Sequence, residues 1–216
     1  MPIPLPPHII ALIQTLRKEI DDHAYHNFEP QKRLILYTAF GPRTDPFINA
    51  FRSWWAIYTA ERVLPLFVAA LPDEVSPPCS LKIARRVALG LNRRDATAVN
   101  RYREMNYHWS GQVWGHEGDL PVNAYYAGTA ACQALDEVCR LEEYRFMPHV
   151  DLTGTTHGIT DLMMAGQAVA DTASCAAMAF AVDEDEDCDF DKLHQFWTWW
   201  LTEALEQAWN TANEQR

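Results

Sequence analysis

Alanine at helical spacing is the strongest constraint on what this sequence can fold into. Ala124, Ala127 and Ala131 lead into Leu135 and Val138, and Leu162, Ala165 and Val169 lead into Ala173, Ala176 and Phe180. Steps of three and four residues place each set on one face of a helix. A face of small side chains lets a neighbouring helix approach closely. The chain holds 28 Ala against 11 Val, with only 9 Gly. Alanine is the best helix former and valine prefers strands, so a sandwich or barrel is disfavoured. The expected fold is an all-α multi-helix bundle with alanine-rich central helices.

The same period recurs elsewhere. A first helix opens at Pro6-Pro7 and turns Ile9, Ile13, Leu16 and Ile20 inward. A second runs from Gln31 to Phe40 and stops at Gly41-Pro42. Thr44-Asp45-Pro46 reads as a helix start, and the third helix carries Phe47, Phe51, Trp54 and Tyr58 on one side. Pro65 falls inside that pattern and is expected to kink or end the helix near its last turns. The stretch from Leu71 to Pro78 reads as a loop that caps the next helix, with Leu81, Ala84, Ala88 and Leu91. Ala98, Tyr102, Met105 and Trp109 continue the pattern. Breaks at Gly115–Pro121 and at residues 146–158 flank the first alanine-rich helix. A last helix presents Leu193, Trp197, Trp200, Ala204 and Ala208. The reading is about eight helices and no strand.

A length of 216 residues suits one unit with a sizeable core. Residues 1–45 read as a helical extension packed on a main domain of residues 46–216. The five cysteines, Cys79, Cys132, Cys139, Cys175 and Cys188, are odd in number and form no CxxC pair. They predict neither a disulfide framework nor a zinc site, and three of them sit among alanines as small apolar fillers. The start lacks the basic flank and cleavage site of a signal peptide, and no apolar run is long enough to span a bilayer. A cytoplasmic location is expected.

Charge is unevenly placed. The formal net charge is −11. Residues 1–104 carry 14 basic and 10 acidic side chains, a net of +4, whereas residues 105–216 carry 4 basic and 19 acidic, a net of −15. Phosphate binding needs a concentrated positive field, so a general nucleic-acid binder is excluded. A partner drawn to the acidic half should itself be basic. The basic stretch Lys82, Arg85, Arg86, Arg93, Arg94, Arg101 and Arg103 could bind an anion, but solvated helix faces or pairing with the acidic half explain it more simply.

The densest acid lies in one run. Asp183, Glu184, Asp185, Glu186, Asp187, Asp189 and Asp191 are seven acids in nine residues. A calcium loop would need glycine at its sixth position and a bidentate Glu at its end. This run offers Cys188 and His194 there, so the sharp turn and the strongest ligand are missing. A magnesium–diphosphate site would need a second metal motif, and none is present. Two readings stay open: a solvated connector that also places negative charge near the last helix's N-terminus, or a docking surface for a basic partner. Glu117 and Asp119 are weaker candidates for the same surface. No cofactor is expected.

Other polar constellations are less informative. His23 and His26 lie three apart at the end of the first helix with Glu19 and Asp22 near, a spacing that bundle metal sites use. No second helix supplies the matching carboxylate and histidine, so exposed polar residues are the simpler reading. His116-Glu-Gly-Asp119 lacks the second histidine of the zinc-protease motif. Thr153-Gly-Thr-Thr-His157 puts hydroxyls beside a histidine without a nucleophile elbow. No catalytic set emerges, so an enzyme is not expected.

One segment carries a resemblance. Trp54-Trp-Ala-Ile-Tyr-Thr-Ala-Glu-Arg-Val-Leu-Pro-Leu-Phe67, followed by Leu71-Pro-Asp-Glu74, Ala84-Arg-Arg86 and Gly90, resembles the fifth immunity-protein family of bacterial polymorphic toxin systems. The similarity covers roughly residues 50–182, which leaves out the first helices, the acidic run and the Trp-rich last helix. It implies binding and inhibition of a cognate toxin, with no catalytic site. The residues themselves read as structural: Trp54, Tyr58 and Phe67, at helical spacing, are expected in the core. Taken with the acidic half, the resemblance implies a toxin inhibitor whose partner is basic, such as a nuclease, with no nucleic-acid or membrane binding. A helical metal-dependent enzyme and a helical adaptor are the alternatives. The pairs Trp54-Trp55 and Trp199-Trp200 leave a homodimer open.

Overall fold

A computed structural model describes residues 3–42, 44–91, 120–146, 172–183 and 187–216, with the backbone alone for Pro30 and residues 140–146. Among the described residues there are seven helices and no extended sheet strand. They are α1 (Pro7–Asp22), α2 (Pro30–Ala39), α3 (Pro46–Ala70), α4 (Ser76–Ala88), α5 (Val122–Phe146), α6 (residues 172–181) and α7. The last is one rod in three parts, Phe190–Trp199, a π-helical turn Trp200–Ala204, and Leu205–Glu214.

Helix α3 sits at the centre. Phe51 through Ile57 are buried without a break, the mark of a helix covered all round. The expected single apolar side is therefore too narrow a description. Asp45 caps α3 by accepting the N–H groups of Phe47 and Ile48, at 2.8 and 3.3 Å, and Pro46 fills the first helical position. The helix does not end at Pro65. It runs on to Ala70, because Pro65 stands on an exposed face where the carbonyl that lacks its bond can meet water.

Two kinds of packing surround α3. Helix α5 lays Ala127, Ala130, Ala131 and Ala134, all fully buried, into its contact with α3 and α4. Helix α7 instead brings large aromatics. The Trp55 and Trp200 rings stack at 4.1 Å and 23°. Trp55 Nε1 donates to the Trp200 carbonyl, Trp200 Nε1 donates to Thr59 Oγ1, and Thr59 donates back to the Trp55 carbonyl, at 3.2, 3.0 and 2.7 Å. Each buried indole N–H in this pair thus has an acceptor, as a buried donor requires.

Two buried arginines tie the first helices in. Arg52 on α3 donates to the Tyr37 carbonyl and to the Gly41 carbonyl (3.2 Å), meeting the free carbonyls at the end of α2 with a positive charge. Arg33 on α2 donates to the Phe28 carbonyl and to Ser174 Oγ on α6, and lies over the Trp197 ring at 5.1 Å. A single apolar cluster runs from Ile9 on α1 to Ala212 on α7. Gly90 closes α4 with φ +73°: its N–H bonds the Val87 carbonyl and the Leu91 N–H bonds that of Arg86. That left-handed turn is what a glycine at this position permits. Leu91, expected on the inner face, is consequently past the helix end and exposed.

Candidate functional site

The described residues of the acidic run, Asp183 and residues 187–191, pair across a turn between α6 and α7. Val182 and Cys188 make an antiparallel bridge, and Asp189 N–H reaches the Ala181 carbonyl at 2.8 Å. Asp183 N–H bonds the Asp187 carbonyl at 3.1 Å, and Asp183 Oδ1 accepts the Asp187 N–H at 3.0 Å. Asp189 then caps α7 by accepting Lys192 N–H at 3.0 Å, with Lys192 Nζ 3.9 Å from its other oxygen. Like charges gathered in one run repel one another, and the cross-turn bonds together with the helix N-terminus oppose that repulsion.

Asp183, Asp187, Asp189 and Asp191 are all exposed. Two of them, Asp183 and Asp189, also build the turn. Glu184, Asp185 and Glu186 lie outside the described residues, as do Glu117 and Asp119. Among the described residues no group of three or more His, Cys, Asp or Glu side chains is arranged to hold a metal ion. Cys188, in the same turn, has its thiol pKa raised by burial and then by Asp189, which suppresses the thiolate.

Beside the turn lies an aromatic pair that sequence reasoning missed. Tyr25 and Phe190 are 59% and 43% exposed and their ring centroids are 5.2 Å apart. The one signal available was Phe190 itself, an aromatic set between two aspartates where solvation alone would favour another polar residue. Next to the pair, His194 Nε2 stands 2.7 Å from Asp21 Oδ1, and the His26 ring lies 4.7 Å from that of His194.

His23 and His26 are not on a helix face. Helix α1 ends at Asp22, because the His26 ring bonds the Ile20 carbonyl at 3.0 Å and His23 Nδ1 accepts the Tyr25 N–H at 3.1 Å. Both rings close the end of α1, and His26 takes up φ +48° there. A pair of metal ligands on one helical face is therefore not what this spacing produces.

The basic stretch is only partly described. Lys82, Arg85 and Arg86 are exposed on α4, and Arg85 pairs with Glu61 of α3, a partner in the first half of the chain and not in the acidic half. Arg93, Arg94, Arg101 and Arg103 lie outside the described residues. The adjacent Arg62 lies over Phe180 of α6 and Trp199 of α7, at 5.5 and 5.1 Å. The Glu61-Arg62 dipeptide thus splays, joining α3 to α4 on one side and to the two helices that carry the acidic turn on the other. Trp54 and Phe67 are buried, and Tyr58 is half-buried with its hydroxyl 2.9 Å from Thr211 Oγ1.

All five cysteines are free, and burial pushes the Cys132 thiol up to about 12. No described helix is long and apolar enough to cross a membrane.

No curated protein matches the chain. A family model does: immunity protein Imm5, over residues 13–207. The match reaches well beyond the residues 50–182 that the tryptophan and proline motifs suggested. Its bounds take in most of α1, all of α2, the acidic turn and most of α7. Covering most of the chain, the match shows that this protein belongs to the Imm5 immunity-protein family.

Proposed function

We propose that the protein neutralises a cognate toxin by binding it through the acidic turn between α6 and α7. One observation carries this reading: exposed carboxylates are held on a braced turn, beside the exposed Tyr25–Phe190 pair. Membership of an immunity-protein family supports toxin binding as the activity. The docking surface comprises Asp183, Glu184, Asp185, Glu186, Asp187, Asp189 and Asp191, with Glu117 and Asp119 as further contacts. The favoured partner is basic. A nuclease toxin fits, since its phosphate-binding cleft would accept carboxylates in place of phosphates.

The aromatic pair and the carboxylates have different tasks. Opposite charge accelerates encounter, to ~10⁸–10⁹ M⁻¹s⁻¹ at low salt. Aromatic side chains that become desolvated at the centre of an interface slow dissociation. The protein acts as a binder and not as an enzyme, in the cytoplasm, without nucleic acid or membrane as a partner.

Co-expression with a candidate cognate toxin domain, sought among the neighbouring genes, tests the proposal. A co-purifying complex and rescue of growth are expected. Absence of both removes the reading.

A further inference from the structure

The last turns of α7 hold Ile3, at the head of the segment Ile3–Leu5, by its main chain. The indole N–H of Trp209, a side chain only 4% exposed, donates to the Ile3 carbonyl at 2.7 Å. One turn on, Asn213 Nδ2 donates to the same carbonyl at 3.2 Å, and Asn213 Oδ1 accepts the Ile3 N–H at 3.1 Å. Asn213 Nδ2 also donates to the Trp209 carbonyl at 3.0 Å, which fixes the orientation of the amide. Phe47 and Phe51, with centroids 4.7 and 5.2 Å from the Trp209 ring, hold the indole from behind.

Three hydrogen bonds therefore converge on the N–H and C=O of one residue, while the Ile3 side chain stays 40% exposed and unread. In an extended chain both groups of a residue point the same way, so one primary amide engages both. A phosphate or carboxylate offers no N–H to Asn213 Oδ1, and a helix has already spent both groups internally. The chemistry selects an extended peptide. Pro4, which has no N–H, follows the bound residue without losing a bond, and Leu5 packs half-buried on the core.

We propose that Trp209 and Asn213 form a main-chain-reading peptide slot, filled in cis by Ile3–Leu5 and able to take instead an extended aliphatic–proline segment of a partner protein. The slot lies roughly 30 Å along α7 from Asp189, so it is independent of the acidic turn. When Ile3 leaves, the buried Trp209 N–H is left without its acceptor, and a vacant slot accordingly favours a replacement carbonyl.

The test uses the full chain carrying Ile3→Pro, in which the proline Cδ stands where the N–H met Asn213 Oδ1 and expels the resident segment. The readout is the NMR signal of the Trp209 indole N–H, assigned with Trp209→Phe. The probe is the synthetic peptide acetyl-Pro-Ile-Pro-Leu-Pro-amide. Ile3→Pro should shift the signal, and the peptide at millimolar concentration should return it towards its original position. Adding Asn213→Leu should weaken that return at least about tenfold. A signal unmoved by Ile3→Pro, or no return with peptide up to about 10 mM, overturns the slot. If Ile3→Pro loses its helical circular dichroism, the peptide is titrated into the unmodified chain. The amide N–H signal of Ile3 itself, in isotope-labelled chain, is then the readout: its shift on adding peptide supports the slot, and no change up to about 10 mM overturns it. A signal that depends on protein concentration in the unmodified chain would point to a second copy as the occupant and contradict the cis assignment.

Discussion

Helix α3 meets α7 through tryptophans and α5 through alanines, and the two contacts specify the fold in different ways. Against α7, Trp55 and Trp200 are joined by a stacked contact and a closed set of hydrogen bonds through Thr59. Shape and polar pairing together admit one register. Against α5, fully buried alanines offer neither large rings nor side-chain donors, only the freedom for helices to come close. The first contact should fail when something is removed, and the second when something is added.

The largest expected effect comes from emptying the aromatic side. Trp200→Ala should cost about 3–5 kcal/mol, the range for deleting a buried aromatic, measured as a shift of the urea midpoint. Thr59→Val keeps the volume but strands the Trp200 indole N–H, and about 1–3 kcal/mol is expected. A near-zero effect there would mean that the stacked rings alone set the register. The alanine side is broken in the opposite way: Ala131→Leu should destabilise by about 1–3 kcal/mol through overpacking, whereas Ala131→Gly tests helix propensity and cavity together. If Ala131→Leu were tolerated without loss, α5 would not be closely packed.

Smaller effects separate the structural acids from the solvent-facing ones. Asp189→Ala should cost about 1 kcal/mol by removing the cap of α7, whereas Asp187→Ala should stay within about 0.5 kcal/mol. Equal costs would erase the distinction drawn between them. The weakest perturbation is chemical: at pH 8 the Cys132 thiol, held at about 12 by burial, stays protonated and should resist alkylation until the chain unfolds. Rapid labelling of Cys132 in the folded protein would show that the alanine side opens readily.

Periodicity made most helices legible because burial and period are the same fact seen twice. Ile9, Ile13, Leu16 and Ile20 line the inner face of α1, and Leu193, Trp197, Trp200, Ala204 and Ala208 that of α7. Asp45-Pro46 announced its helix through capping chemistry that is local to the residues involved. What stayed hidden was set by distant partners. Arg33 and Arg52 look like surface residues in sequence and are buried, because the carbonyls and rings they meet come from other segments. Pro65 does not end α3 for a related reason: its cost depends on which face of the helix it occupies. The acidic run was visible as composition, but only the folded turn separates Asp183 and Asp189, which build it, from Asp187 and Asp191, which face solvent.

That separation defines the most direct test. Asp185, Asp187 and Asp191 are changed together to Asn, with Asp183 and Asp189 left to hold the turn. Association with the cognate toxin domain is then followed by stopped flow at low and high salt. Association should be about tenfold slower at low salt and converge with that of the unmodified protein at high salt, with an unchanged unfolding midpoint. Equal association rates at low salt, with the complex still forming, would contradict docking through the acidic turn.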